Sequence, residues 1–364
     1  MTSYNHLSEK LMDDYNIELA IYEAALFKRK KNKRHKKLRY IKAHAKPYVP
    51  IAKKWLETFD PPEHTPIELR DKGSGKIRHI VVPTYQEEIC HHAVTRVLKP
   101  IFKKGMYEHS YASIPGVGVH SAMKRLKKWI YNDHANTKYC LKLDIKKFFD
   151  SVDQDVLLGK LCKIIRDDSF YDIVEKIVRS VPAGLPLGFT TSQWFANFLL
   201  TELDHKIKEE WGAKYYMRFM DDMVILGSNK RKLHELKDKI ETYLKDVLHL
   251  ELKSNWQLFL VDNIRTKKKG RFIDFLGFKF YRNHVGIRRR NALAIQRTAK
   301  RISKKPRATI HDARRIVTYA GLCRYADCHN WFKKHVSRYV SIRYMRKKIS
   351  KYQRRMYGNQ FSKK

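Results

Sequence analysis

The sequence predicts an α+β protein: an antiparallel sheet with helices packed on one face. Three observations predict it. Residues 138–149, KYCLKLDIKKFF, alternate as a strand does. Leu141, Leu143 and Ile145 point one way; Cys140, Lys142 and Asp144 point the other. Two apolar runs, KYYMRF and MVILG, flank Met220-Asp221-Asp222, the pattern of a β-hairpin with carboxylates at its turn. Around both, strand-like segments alternate with segments of helical period.

The elements follow in order. Residues 4–27 read as one amphipathic helix, with Leu11, Tyr15, Leu19 and Tyr22 at helical spacing. The run KRKKNKRHKKLR, 28–39, is nearly all basic and reads as a solvated helix face or as an arm that contacts phosphate. The prolines of FDPPEHTP, 59–66, break the chain. IELRDKGSGKIRHIVVP, 67–83, reads as a hairpin whose first strand ends near Arg70 and whose turn is DKGSG. Helices are expected over 85–102, 118–132, 153–180, 190–210 and 229–247. RFIDFLGFKFYRNHVGIR, 271–288, reads as a hairpin turning at RNH, and from about 292 the chain is helical and basic.

Composition limits the partners. Hydrophobic residues make up 43% of the 364, enough for a core and against global disorder. Lys and Arg number 77 against 37 Asp and Glu, a net charge of +40 that repels itself unless a polyanion neutralises it. Nucleic acid is the expected polyanion, and an anionic membrane surface the weaker reading. That charge favours the phosphate-contacting arm, with Lys28, Arg29, Lys30, Lys31, Lys33 and Arg34 as its candidate contacts. No apolar run reaches the roughly 18 residues of a membrane span, and the first residues carry no signal core, so a cytoplasmic protein is expected. Five cysteines, an odd number, suit a reducing compartment. CRYADCHNWFKKH, 323–335, lacks a second Cys-x-x-Cys pair, so its thiols read as core rather than zinc ligands.

Asp221 and Asp222 pose a problem, because adjacent carboxylates repel and are costly to bury. Asp144, on the polar face of its strand, could lie beside them and gather three carboxylates at one sheet edge. Two divalent cations about 3.5–4 Å apart would neutralise the set and support in-line phosphoryl transfer. Hard oxygen ligands select Mg²⁺. A paired Asp also occurs in solvated turns; the apolar flanks and the partner Asp144 count against that.

Here a resemblance enters. LKLDIKKFFDSV (141–152), GLPLGFTTSQWFAN (184–197), RFMDDMVIL (218–226) and FIDFLGF (272–278) resemble, in order, four motifs of the reverse transcriptase palm. Phe219 stands where the family often has Tyr. With the hairpin before them, these motifs span about residues 65–285. The resemblance implies a right-hand polymerase of fingers, palm and thumb. It implies an N-terminal basic helical extension over 1–60, fingers over 61–137, a palm over 138–285 with a helical insertion at 153–180, and a basic helical thumb over 286–364.

It also implies roles. Asp144 and Asp221 match metal ligands for two Mg²⁺, with Mn²⁺ a substitute, and Asp222 matches the second carboxylate of the pair. Phe149 matches an aromatic gate against a ribose 2′-hydroxyl, which implies dNTP use; a core aromatic is the other reading. Lys76 and Arg78 match residues that hold the incoming triphosphate. Gly184, Pro186 and Gly188 match positions where backbone approaches template and nucleotide, with Leu187 and Gln193 in the same pocket motif. Phe275, Leu276 and Gly277 match the primer grip. Lys253 is the nearest candidate for a proton donor to pyrophosphate. Arg288, Arg289 and Arg290 open a basic, Tyr-rich region suited to following an RNA–DNA hybrid by its backbone.

Many bacterial members of the family, such as group II intron proteins, read Gln-Gly and then Ser-Pro in the pocket motif; here Leu187-Gly188 and Ser192-Gln193, with LKSNWQLFLV (252–261), resemble instead the enzymes of diversity-generating retroelements. Those copy a template-repeat RNA into cDNA with errors at adenine, and work with a small basic accessory protein that forms a ring. On length the chain is expected to be of that type, without large maturase and endonuclease domains. Three features depart from it: Phe189, where Asn is usual; Ile114, where relatives often carry Arg; and the proton-donor Lys, which is not in its usual context, Lys253 being only the nearest candidate. A retron or phage-defence reverse transcriptase is the alternative, and a non-catalytic RNA-binding protein the second; the intact Asp set counts against the latter.

Overall fold

The computed structural model describes residues 2–26, 33–62, 64, 66–70, 77–262 and 270–357. Nine strands lie among them: Ile67–Arg70 (β1), Ile77–Ile80 (β2), Tyr139–Asp144 (β3), Tyr215–Phe219 (β4), Asp222–Gly227 (β5), Gln257–Leu260 (β6), Ile273–Phe275 (β7), Phe278–Phe280 (β8) and Val285–Ile287 (β9). They form a two-stranded sheet, a four-stranded sheet of order β4-β5-β3-β6, and a three-stranded sheet of order β7-β8-β9. β1 pairs antiparallel with β2, Ile67 opposite Ile80, so the expected hairpin is present. The strands lie among helices, and the α+β expectation is met.

The chain divides into two compact units, one of residues 1–115, 141–225 and 231–257, the other of residues 116–140, 226–230 and 258–364. In the first, helix Tyr85–Gly105 is central. Thr84 accepts from the Glu87 amide and the Glu87 carboxylate accepts from the Thr84 amide, a reciprocal cap that starts the helix cleanly. Its buried face packs against helices Asp14–Ala24 and Thr190–Leu199, with Phe102 stacked on Phe198 at 4.7 Å between ring centroids.

The single helix expected over 4–27 is instead two, Leu7–Leu11 and Asp14–Ala24. Asp13 breaks it, because its side chain accepts from the Asn16 amide and caps a fresh helix. The new phase buries Ile17, Ala20, Ile21 and Ala24; of the expected stripe Leu11 is buried and Leu19 half-buried, while Tyr15, 68% exposed, and Tyr22 face out.

In the second unit, the hairpin expected over 271–288 is a three-stranded meander. Beside the expected turn, closed by Tyr281 N donating to His284 O, a two-residue turn at Leu276-Gly277 joins β7 to β8. Both its residues have positive φ, 53° and 89°, the conformation that joins twisted strands without splaying them. Leucine is a poor sequence signal for such a turn, so this one was missed. Buried Arg282 ties the meander to its neighbours, donating to the Thr137 hydroxyl and carbonyl at 2.6 Å each. Helix Arg289–Ser303 buries Ile295, Ala299 and Ile302 at helical spacing against Ala313, Ile316 and Val336. Cys323 is buried in that core, and the Cys328 thiol lies 3.4 Å from the Cys323 carbonyl, as expected of core thiols. Among the described residues no helix is long and apolar enough to cross a membrane.

Asp312 caps helix Ile310–Cys323 from within. Burial alone would raise its pKa, but hydrogen bonds from the Lys305 ammonium (2.6 Å) and from the Thr309 amide and hydroxyl outweigh burial and hold it at about 2. A carboxyl depressed in the folded state stabilises fully above its unfolded pKa and loses that contribution as pH falls from about 4 through 2. The shift corresponds to roughly 2 kcal/mol. Asp312→Ala is therefore expected to speed amide exchange along Ile310–Cys323 about thirtyfold at pH 7, and to change little at pH 2. Equal protection in both proteins at pH 7 would contradict this.

Candidate active site

Asp144 ends β3 and Asp222 begins β5, its neighbour in the sheet, with Asp221 one residue earlier in the β4–β5 turn. Met220 takes a left-handed φ of 57° to make that turn. The expected convergence is present: Asp221 and Asp222 both feel the charge of Asp144. Burial foremost, then Asp144, pushes the Asp221 carboxyl up to about 6 against the pull of Lys253. Burial also lifts Asp222 to about 6, opposed by Lys142 and helped by Asp144 and Asp221. Lys142 was placed on this face by alternation; its Nζ lies 3.5 Å from Asp222 Oδ2.

Lys253 reaches the same edge. Its backbone N–H donates to the Asp144 carbonyl at 2.8 Å, and Lys146 N–H donates to Glu251 O at 2.8 Å, so residues 251–253 pair with the end of β3. From there the Lys253 ammonium donates to Asp144 Oδ1 at 2.5 Å. The nearest candidate for a proton donor thus contacts the first carboxylate.

Whether these residues suit divalent cations can be tested on the site itself. Three hard carboxylates crowd together, and two lysines partly compensate them. Asp222 Oδ1 is buried without a hydrogen-bond partner, a state that normally carries a cost of about 1–3 kcal/mol. An uncompensated acceptor on one of the two carboxylates of raised pKa, with Asp144 beside them, fits a cation. As they stand, with Lys253 on Asp144, no group of three His, Cys, Asp or Glu among the described residues is already arranged to hold one.

The pocket motif docks beside this edge. Leu185 N–H donates to Phe149 O at 2.7 Å, and Gln154 Nε2 donates to Gly184 O at 3.1 Å. Val81 N–H donates to Leu187 O at 2.9 Å, continuing β2. The segment 184–188 therefore brings together Phe149, half-buried, and the strand that bears exposed Arg78. Gly184 and Gly188 have φ of +68° and +127°, and a Cβ on either would meet the chain's own backbone, 2.6 Å from Phe149 O and 2.1 Å from Val81 O. Their close approach is thus to this scaffold. Pro186 is buried within it, and Gln193 is exposed on helix Thr190–Leu199. Phe189 is 2% exposed and packs on His91 and His64, ring centroids 4.4 and 5.4 Å away, so a core aromatic fills the position where Asn was expected.

Sequence reading missed Arg218. Buried inside β4, it donates to both oxygens of Asp204 at 2.7 and 2.6 Å and to the Met220 carbonyl at 3.0 Å. A cation inside the apolar run YYMRFM was the available signal, since buried charge requires a partner.

The other candidates fall elsewhere. Phe275, Leu276, Gly277, Arg288, Arg289 and Arg290 belong to the second unit. Phe275 is buried, Leu276 and Gly277 form the β7–β8 turn, and Arg288 is ion-paired with Asp274. Lys33 and Arg34 open helix Lys33–Ala43. Lys28, Arg29, Lys30, Lys31, Lys76 and the turn DKGSG lie outside the described residues.

Comparison with known proteins agrees in direction. The sequence pattern of the family described as "Reverse transcriptase (RNA-dependent DNA polymerase)" matches residues 69–280. The group II intron-encoded protein LtrA of Lactococcus lactis subsp. cremoris is 25% identical over 157 residues, 40% of this chain and 26% of that protein. The retron Ec73 reverse transcriptase of Escherichia coli is 23% identical over 211 residues, 54% of this chain and 63% of that one. The chain thus covers about a quarter of the intron-encoded relative and under two thirds of the retron enzyme. In fold, it is similar to apo telomerase from Candida tropicalis, with a TM-score of 0.50 at 13% identity over 85% of this chain and 69% of that one.

Proposed function

Because the chain belongs to the reverse transcriptase (RNA-dependent DNA polymerase) family, we propose that it copies RNA into DNA at the edge bearing Asp144, Asp221 and Asp222. The observation that carries this reading is the crowding of these three carboxylates at neighbouring strands, two of them held near pKa 6. Divalent cations at those oxygens, Mg²⁺ or Mn²⁺, supply the Lewis acidity that in-line phosphoryl transfer needs. Asp144 and Asp221 would hold them, with Asp222 completing the set. Lys253, the nearest candidate for a proton donor, would have to leave Asp144 to protonate a leaving group. Arg78, with Lys76, takes the incoming triphosphate, and Phe149 faces the ribose and excludes a 2′-hydroxyl. The basic second unit follows the RNA–DNA hybrid by its phosphates.

Within the family we infer the diversity-generating type, with a template-repeat RNA, errors at template adenines and a ring-forming basic accessory protein. Leu187 supports it: a leucine side chain cannot hydrogen-bond near the nascent pair as glutamine could. One such contact contributes about 1 kcal/mol or more to discrimination. Purified protein, a primed RNA, Mg²⁺ and four dNTPs should yield cDNA whose errors concentrate at template adenines, and Leu187→Gln should lower that error rate severalfold. Adenine errors unchanged in the variant would contradict the role of Leu187. Accurate wild-type product would favour a second reading, a retron-type enzyme, which is supported by the share of the retron relative that the chain covers.

A further inference from the structure

We infer that Arg218 is a positioning residue, which orients the Asp221–Asp222 carboxylates by holding the carbonyl of Met220; this rests on the polymerase reading above. Its guanidinium is fully buried and its donors are spoken for. Nε and Nη2 donate to Asp204 Oδ1 and Oδ2 at 2.7 and 2.6 Å. Nη1 donates to Asn197 Oδ1 at 3.1 Å and to Met220 O at 3.0 Å. The anchors are fixed in turn. The Tyr216 hydroxyl donates to Asp204 Oδ1 at 2.5 Å, and Asn197 Nδ2 donates to Ala112 O at 3.0 Å. The Arg218 backbone is held on both sides, its N–H donating to His109 O and its carbonyl accepting from Tyr111 N–H, each at 3.0 Å.

Helices Thr190–Leu199 and Thr201–His205 therefore meet on one guanidinium, the 109–112 segment holds the Arg218 backbone and Asn197, and one guanidinium contact reaches out of that network to the turn. The destination explains why it matters. Met220 has a φ of 57°, a conformation that non-glycine residues keep only where the surroundings hold them there. The Met220 carbonyl and the Asp221 nitrogen share one planar peptide. Fixing that oxygen fixes the plane from which the Asp221 side chain departs, and with it the start of β5 at Asp222. A planar fork can bind a carboxylate with one edge and reach a carbonyl with another; the single nitrogen of lysine cannot. Asn197 closes the pocket motif in sequence, so the same guanidinium also joins that motif to the carboxylate turn.

The test separates positioning from stability. Arg218→Lys keeps a charge opposite Asp204 and loses the fork. A triple variant, Asp204→Leu, Tyr216→Phe and Arg218→Met, replaces the buried pair with apolar groups, an exchange that buried ion pairs commonly tolerate. Thermal unfolding selects the variants that fold. Steady-state primer extension then gives kcat and the KM for dNTP, and electron paramagnetic resonance of Mn²⁺ without nucleotide gives cation affinity. The expected result in the folded variants is a kcat at least thirtyfold lower, a KM within threefold of wild type, and Mn²⁺ bound at least tenfold more weakly. Wild-type kcat and wild-type Mn²⁺ affinity in the triple variant would overturn the inference. Should the wild-type protein make no DNA at all, the polymerase reading fails by itself, and the Mn²⁺ titration decides: weaker binding in the variants supports the role of Arg218, and equal binding overturns it.

Discussion

The Asp221→Asn, Asp222→Asn double variant is expected to lose nucleotide incorporation by a factor of roughly 10³ or more, about 4 kcal/mol of barrier, while becoming more stable. The loss follows from removing two of the three carboxylates that would hold the cations. The gain follows from their pKa. Both carboxyls are raised from 3.8 to about 6, burial being the first cause. A group raised on folding favours the folded state below its unfolded pKa, and the advantage is lost as pH rises through the folded pKa. At pH 7 the ionised pair therefore weighs against the fold by up to a few kcal/mol, and asparagine removes that burden. Without divalent cations, the thermal midpoint of the variant should exceed that of wild type at pH 7, and the difference should shrink at pH 4. A variant that melts earlier at pH 7, or that still incorporates nucleotide, would contradict the assignment.

The second large effect concerns the scaffold beneath the nucleotide pocket. Gly188→Ala would place a Cβ 2.1 Å from Val81 O at a φ of +127°, and Gly184→Ala one 2.6 Å from Phe149 O at +68°. Backbone on both sides cannot yield as a flexible side chain would. The combined strain and clash should cost about 3 kcal/mol or more at Gly188, or detach Leu187 from Val81. Either outcome lowers thermal stability or raises the KM for dNTP at least tenfold. Gly159→Ala is the control: it lies in helix Gln154–Cys162 with nothing within 4 Å of an added Cβ, and should stabilise by roughly 0.5–1 kcal/mol. A Gly188→Ala protein with wild-type melting and KM would contradict this account of the motif.

Legibility in the sequence followed the range of the signal. Period-two alternation placed Asp144 and Lys142 on one face, and the apolar flanks placed Asp221 and Asp222 at a hairpin turn; both are local patterns, and the hairpin is present with Asp221 in the turn and Asp222 opening β5. The network around Arg218 was not legible, because Asp204 and Asn197 lie 14 and 21 residues away on other elements, and only the fold brings them together. The contact from Lys253 to Asp144 spans 109 residues and is set by strand pairing. Two local errors had local causes. Asp13 was read as a polar position inside a helix and is a cap. Leu276 was read as strand and sits at a positive φ that its own chemistry disfavours.

The most direct measurement is extension of a DNA primer on an RNA template by the purified protein, with dNTPs and with Mg²⁺ or Mn²⁺, beside the Asp221→Asn, Asp222→Asn protein. The account predicts DNA whose sequence is dictated by the RNA, made by the wild type, dependent on the added cation and absent from the variant. No extension of a primer–template that the protein demonstrably binds, with either cation, or equal extension by the variant, would contradict it.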